Sequence, residues 1–192
     1  MGWVVVLVVA NLLGCGAPGG ARGVSDGLQV GQPVPGLSLM GLDGQVRTLA
    51  EAQGQIVVVE WLVPDCAYVT DVHGPGGALR DLVGTEGVQW WGVLSGVHPE
   101  AAREAAGAWA FPFPLLMDPT FEVADAWGAS SAPHVFVIDQ AGVLRYRGAV
   151  DNQPLREQPG DRVPYAEQAL RAVQQGVDPA VPRTRPYGCR IR

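Results

Sequence analysis

The chain contains no lysine: all thirteen of its Lys and Arg positions are arginine, which suggests coding bias and does not by itself mark a binding site. Charged residues make up only 17%, and the net charge is −6. No basic field is therefore available to attract nucleic acid or an anionic membrane surface. There is no G-x-x-x-x-G-K-[ST] phosphate loop, no internal repeat, and no C-x-x-C or C-x-x-x-C pair. Those absences exclude a P-loop nucleotide site and an adjacent dithiol. Cysteine is scarce, at three residues: Cys15, Cys66 and Cys189. A hydrophobic content of 47% over 192 residues excludes disorder and suits one globular domain with an appendage.

The first stretch, "GWVVVLVVANLLGCG" from Gly2 to Gly16, carries no charge. It is short for a membrane span, which needs about 20 apolar residues, but it suits the apolar region of an export signal. Its Leu12-Leu13-Gly14-Cys15 ending resembles a bacterial lipobox, which implies lipidation of Cys15 and a mature chain beginning there. The alternative is a buried N-terminal strand or a misplaced start codon. On the lipoprotein reading, residues 1–15 are signal and lipobox and 16–29 a Gly-rich tether. The protein would then sit on the periplasmic side of the cell envelope, held to the membrane by its lipid. Cys66 and Cys189 would be left to each other in an oxidising compartment.

From 30 to 177 the pattern is that of one α/β domain, followed by a Pro- and Arg-rich tail, 178–192, that carries Cys189. Two short strands flank the Asp43-Gly44 turn signal. "IVVVEWLV", Ile56 to Val63, is a β-branched run expected to be a strand buried on both faces. Cys66 to Val83 looks helical but is interrupted by "GPGG" at Gly74 to Gly77, so a kink or two helices are expected. "VQWWGVLSG" is a second strand. Pro99 opens an amphipathic helix, "FPLLMD" is a short strand, and "PTFEVADAWG" is a helix closed by Gly128. "HVFVIDQAGVLRYRGAV" is a hairpin, and Arg162 to Gly176 a last helix. Strands alternating with helices predict an α/β sandwich with a central mixed sheet.

Three pieces, "IVVVEWLVPDC", "SSAPHVFVIDQAGVLRYRGAV" and the ending "RPYGC", resemble the thioredoxin-like superfamily, in particular its redoxin branch of alkyl hydroperoxide reductase and thiol-specific antioxidant relatives. The resemblance implies a three-layer thioredoxin-like sandwich with an N-terminal β-extension and an extended C-terminal tail. It also implies no cofactor, a nucleophilic Cys66 at a helix start, and a cis peptide before Pro133 facing it. The physical basis is general: unpaired amides and the positive end of the dipole at a helix start favour thiolate over thiol. A cis Ala132-Pro133 bond would turn the backbone so that an extended partner can pair beside the sulfur.

The departures from the family pattern bear on activity. "CAYV" lacks the adjacent resolving thiol, and the Pro-x-x-x-Thr-x-x-Cys signature of peroxidases has Val59 and Val63 in its place. Cys189 is the candidate partner. It either resolves an oxidised Cys66 or forms a static bridge that holds the tail down. Around Cys66, supporting roles are expected for Pro64 and Asp65 in the turn and for Trp61 bordering the sulfur. Glu60, on the same strand, is a candidate acid or base. His134, next to Pro133, is expected near Cys66 as a tuner of the thiolate. His73 could approach the site, whereas His98 suits exposed loop. A Cys66–His134 copper or zinc site lacks enough local ligands, so no metal is expected. The expected activity is a thiol-disulfide oxidoreductase working on a protein thiol or disulfide. The alternatives are a slow thiol peroxidase, or a non-catalytic redoxin scaffold that binds a partner or copper.

Overall fold

The computed structural model describes residues 27–192. The expected signal and lipobox, 1–15 with Cys15, and all but the end of the tether, 16–29, lie outside the described residues.

A β-hairpin leads: β1 (Ser38–Gly41) and β2 (Val46–Thr48) pair antiparallel across Asp43-Gly44. Gly44 takes a positive φ of 78° and donates to the Gly41 carbonyl at 3.0 Å. β3 (Ile56–Trp61) is buried at all six positions, Glu60 included, as a central strand covered on both faces must be. Full burial of each Val, Leu or Ile contributes roughly 1.5–3 kcal/mol, so this strand anchors the core.

After β3 come α1 (Ala67–His73), β4 (Val88–Ser95), α2 (Pro99–Trp109), β5 (Leu115–Asp118) and α3 (Glu122–Trp127). β6 (Ser131–Ala132), β7 (His134–Ile138), β8 (Leu144–Gly148), α4 (Tyr165–Gln174) and β9 (Cys189–Arg190) complete the order. Seven strands form one mixed sheet in the order β2-β1-β5-β4-β3-β7-β8, and β6 and β9 form a separate pair. β3 runs parallel to β4 and antiparallel to β7. This is the thioredoxin-like α/β fold, a central mixed sheet between helices.

Strand alternation gives the sheet two faces. One packs Val58, Leu62, Val135, Val137 and Cys66 against α1, α2 and α4. The other packs Val57, Val59, Trp61, Phe136 and Ile138 against α3 and the chain before β3.

The expected continuation of helix from Gly77 to Val83 is not formed. α1 stops at Gly74, whose N–H caps the Thr70 carbonyl at 2.8 Å, and turns follow. Pro75 and the positive φ of Gly76 reverse the chain, and Leu79 N–H donates to the Val72 carbonyl at 2.9 Å. That bond folds the segment back on the end of α1 and drops Leu79 and Leu82 into the core.

Candidate active site

The chain leaves β3 through Leu62, whose N–H still bonds the Val93 carbonyl at 2.9 Å. Pro64 and Asp65 then turn it, Asp65 being exposed with a positive φ of 58° that aspartate tolerates better than most residues. Cys66 follows as the N-cap of α1, and its carbonyl accepts from Thr70 N–H at 3.1 Å and from Thr70 Oγ1 at 3.3 Å. Its side chain caps no amide of the helix. Cys66 is only 1% exposed, and its Sγ lies 3.5 Å from the carbonyl oxygen of Ala132. The Ala132–Pro133 peptide is cis.

Cys66 is bonded to Cys189, with Cα atoms 6.0 Å apart and a sequence separation of 123. β9 lies antiparallel to β6, placing Cys189 opposite Ala132 and Arg190 opposite Ser131. The tail that reads as loose and extended is therefore docked by backbone pairing immediately before the cis-proline. Gly188 makes this possible. Its φ is 123°, and a Cβ there would stand 2.0 Å from the Ala132 carbonyl oxygen.

Two further clasps hold the tail. Tyr187 donates to Asp151 Oδ1 at 2.6 Å, and its ring lies 5.9 Å from that of Tyr68. Burial, with the Asp151 carboxylate beside it, pushes the Tyr187 hydroxyl pKa well above the usual phenol range. Asp151 is also held by Arg162 at 2.8 Å. Upstream, Arg147 N–H donates to the Pro182 carbonyl and Thr184 N–H to that of Arg147, adding a short parallel bridge beside β8. Tyr146 Oη donates to the Ala149 carbonyl, so Thr184 Oγ1 donates to Tyr146 Oη at 2.7 Å and accepts from Ala149 N–H at 2.9 Å. Sequence reasoning missed Asp151, Tyr146, Thr184 and Tyr187. The one usable signal was the small Gly188 beside Cys189.

Glu60 is fully buried on the same face as Cys66. Its carboxylate accepts from His73 Nε2 at 3.0 Å to both oxygens and from Trp90 Nε1 at 3.1 Å. Phe111 and Phe113 wall the imidazole at centroid distances of 4.4 and 5.7 Å. His73 thus joins Glu60 at the far end of α1 from Cys66.

Trp61 and His134 do not border the sulfur. They pair with each other across β3 and β7, and both turn to the α3 face of the sheet. Trp61 packs on Trp127 and Phe136 and donates to Ser95, which donates to Asp118. His134 packs against Phe136 with ring centroids 4.5 Å apart and the planes tilted by 34°. The reason is the period-two alternation: Leu62, Val135 and Val137 take the Cys66 side, so Trp61 and His134 take the other. His98 caps α2 on the exposed surface. Among the described residues, no three His, Cys, Asp or Glu side chains converge as a metal site.

The redoxin family model matches residues 29–169. A candidate peroxiredoxin of Mycobacterium tuberculosis is 32% identical over 127 residues, covering 65% of this chain and 79% of that protein. Among solved structures, an uncharacterised conserved protein of Geobacillus kaustophilus aligns with a TM-score of 0.74 at 24% identity, over 85% of this chain and 92% of its own. A hypothetical protein of Sinorhizobium meliloti aligns with a TM-score of 0.73 at 23% identity, over 86% and 95%. A candidate thiol:disulfide interchange protein of Chlorobium tepidum gives 0.53 at 20% identity, over 62% and 84%. These structures share the fold.

Proposed function

Because the chain belongs to the redoxin family, oxidoreductases of thiols and peroxides, we propose that it is a thiol-disulfide oxidoreductase whose redox couple is Cys66 and Cys189. The observation that supports this reading is the seat of β9. The tail lies as an extended strand against the backbone immediately before Pro133 with its sulfur on Cys66, the pose a partner strand would need for exchange.

In the reduced protein the tail lifts and the Cys66 thiolate attacks one sulfur of a partner disulfide. A mixed disulfide forms and the first partner thiolate leaves. The Cys189 thiolate then attacks Cys66 Sγ, the bridge re-forms, and the second partner thiolate departs. Two electrons pass from the protein to the partner, and an external dithiol restores the reduced state. With Cys66 buried and Cys189 only half-buried in the bridge, that dithiol enters at Cys189 and Cys66 is the leaving group.

Turnover of a disulfide-linked peptide with dithiothreitol tests this. Cys66→Ser abolishes turnover, and Cys189→Ser accumulates the mixed disulfide on Cys66. Equal turnover in both variants and the parent chain overturns the reading. The name of the curated relative favours a second reading, peroxide reduction. The positions that would hold peroxide, Val59 and Val63, offer no hydroxyl. Peroxide-driven formation of the bridge faster than in free thiols would establish it. Export and a lipid on Cys15, which would place the couple in the envelope and on a membrane, are part of the same proposal; the mass of the native chain tests them.

A further inference from the structure

On the α3 side of the sheet, a cleft of about 390 Å³ lies between the tail and the body of the domain. The body contributes Ser130, His134 and Arg147, and the tail contributes Arg183, Thr184 and Arg185. Three arginines meet there in a chain whose net charge is −6, and no Asp or Glu is among the described lining residues.

His134 is 1% exposed, yet neither ring nitrogen has a hydrogen-bond partner. Buried polar groups in folded proteins are nearly always paired, and one left open points to a missing partner. Burial first, then the charges of Arg147 and Arg183, lower the imidazole pKa to about 3, so the ring is neutral and still offers an N–H. The guanidinium of Arg147 is fixed by the carbonyls of Leu28 and Gly128 at 2.7 and 3.1 Å and lies 5.5 Å over Phe136, making it a rigid wall. Arg183 and Arg185 are exposed, and among the described residues their guanidinium groups make no hydrogen bond or ion pair. A planar five-donor fork suits phosphate and carboxylate oxygens, and the same charges exclude a cation.

We propose that this cleft binds a small oxyanion, a phosphate or a carboxylate, held by Arg183 and Arg185 with His134 donating from below. Half of its wall is tail, and Pro186 is three residues from Cys189. The site is complete only while the tail is docked, so the ligand binds the disulfide form more tightly. By linkage it favours that form by the same factor.

The full chain, oxidised, is titrated at constant ionic strength with inorganic phosphate in one arm and malonate in the other, following His134 ring resonances and heat. One arm is expected to saturate, which identifies the source of the anion. The doubly substituted Arg183→Gln, Arg185→Gln chain, altered only at exposed positions, is expected to bind about tenfold or more weakly, the change for each ~1.4 kcal/mol lost. Reduction with dithiothreitol is expected to weaken binding in the parent chain. If neither anion saturates, or if the double variant binds as the parent does, the site is refuted. Equal affinity before and after reduction refutes its coupling to the tail.

Discussion

Cutting the Cys66–Cys189 bridge by Cys189→Ser has a calculable cost. The crosslink closes a loop of 123 positions. In the chain-entropy model, the lost freedom of the unfolded chain is 2.1 + 1.5R ln n cal/mol/K, or about 16 here, hence about 5 kcal/mol at 25 °C. With a urea slope of about 2–3 kcal/mol/M, the midpoint should fall by roughly 2 M. The same loss corresponds to a melting shift on the order of 10–20 °C for a domain of this size. Equilibrium urea unfolding of the oxidised parent, the reduced parent and the variant gives the answer. The reduced parent and the variant should coincide, both far below the oxidised chain. A difference under about 1 kcal/mol between oxidised parent and variant would mean that the bridge does not constrain the chain in solution, and the reasoning from loop length would be refuted.

Three further outcomes follow from named contacts. Gly188→Ala places a Cβ against the Ala132 carbonyl at a φ of 123°, so β9 should fail to seat and the bridge should form more slowly on air oxidation; unchanged oxidation kinetics would contradict the crowding. Glu60→Ala strips the partner from buried His73 and Trp90 and should cost about 3–5 kcal/mol, whereas Glu60→Gln, which can still accept from them, should cost much less. Equal unfolding midpoints for the two would count against the network. Acid stability carries the mark of His134. Its pKa is lowered in the fold by burial and by Arg147 and Arg183 to about 3 from 6.5, so the unfolded chain takes the proton first. Stability is lost as pH falls below about 6.5, by up to ~1.4 kcal/mol per unit until the folded ring titrates. His134→Leu should flatten that part of the curve; a parallel curve would show that another group is responsible.

Much of the site could be read from local pattern. The β-branched run Ile56–Val59, resumed by Trp61-Leu62 after Glu60, favours a buried strand, and Pro64-Asp65 had to end it. Pro99 at the start of α2 and Gly128 at the end of α3 lie where their backbone preferences put them. Facing was harder. Trp61 and His134 are close to Cys66 and Pro133 in sequence, yet strand alternation carries both to the opposite face. Glu60 was visible as a carboxylate on the right strand, but its partner His73 is thirteen residues away and meets it only because α1 folds back over the sheet.

The amino-acid order by itself determined most of the elements, the burial of the central strand and the position of Cys66 at a helix start, since each depends on neighbours within a turn or a strand; the turns at 77–83 and the β6–β9 pair were not among them. Only the tertiary structure decided where the tail goes. Pairing β9 with β6, clasping Tyr187 to Asp151 and setting arginines 183 and 185 beside His134 are contacts between segments far apart in the chain. Their registers are chosen by packing over the whole sheet, and no local preference encodes them.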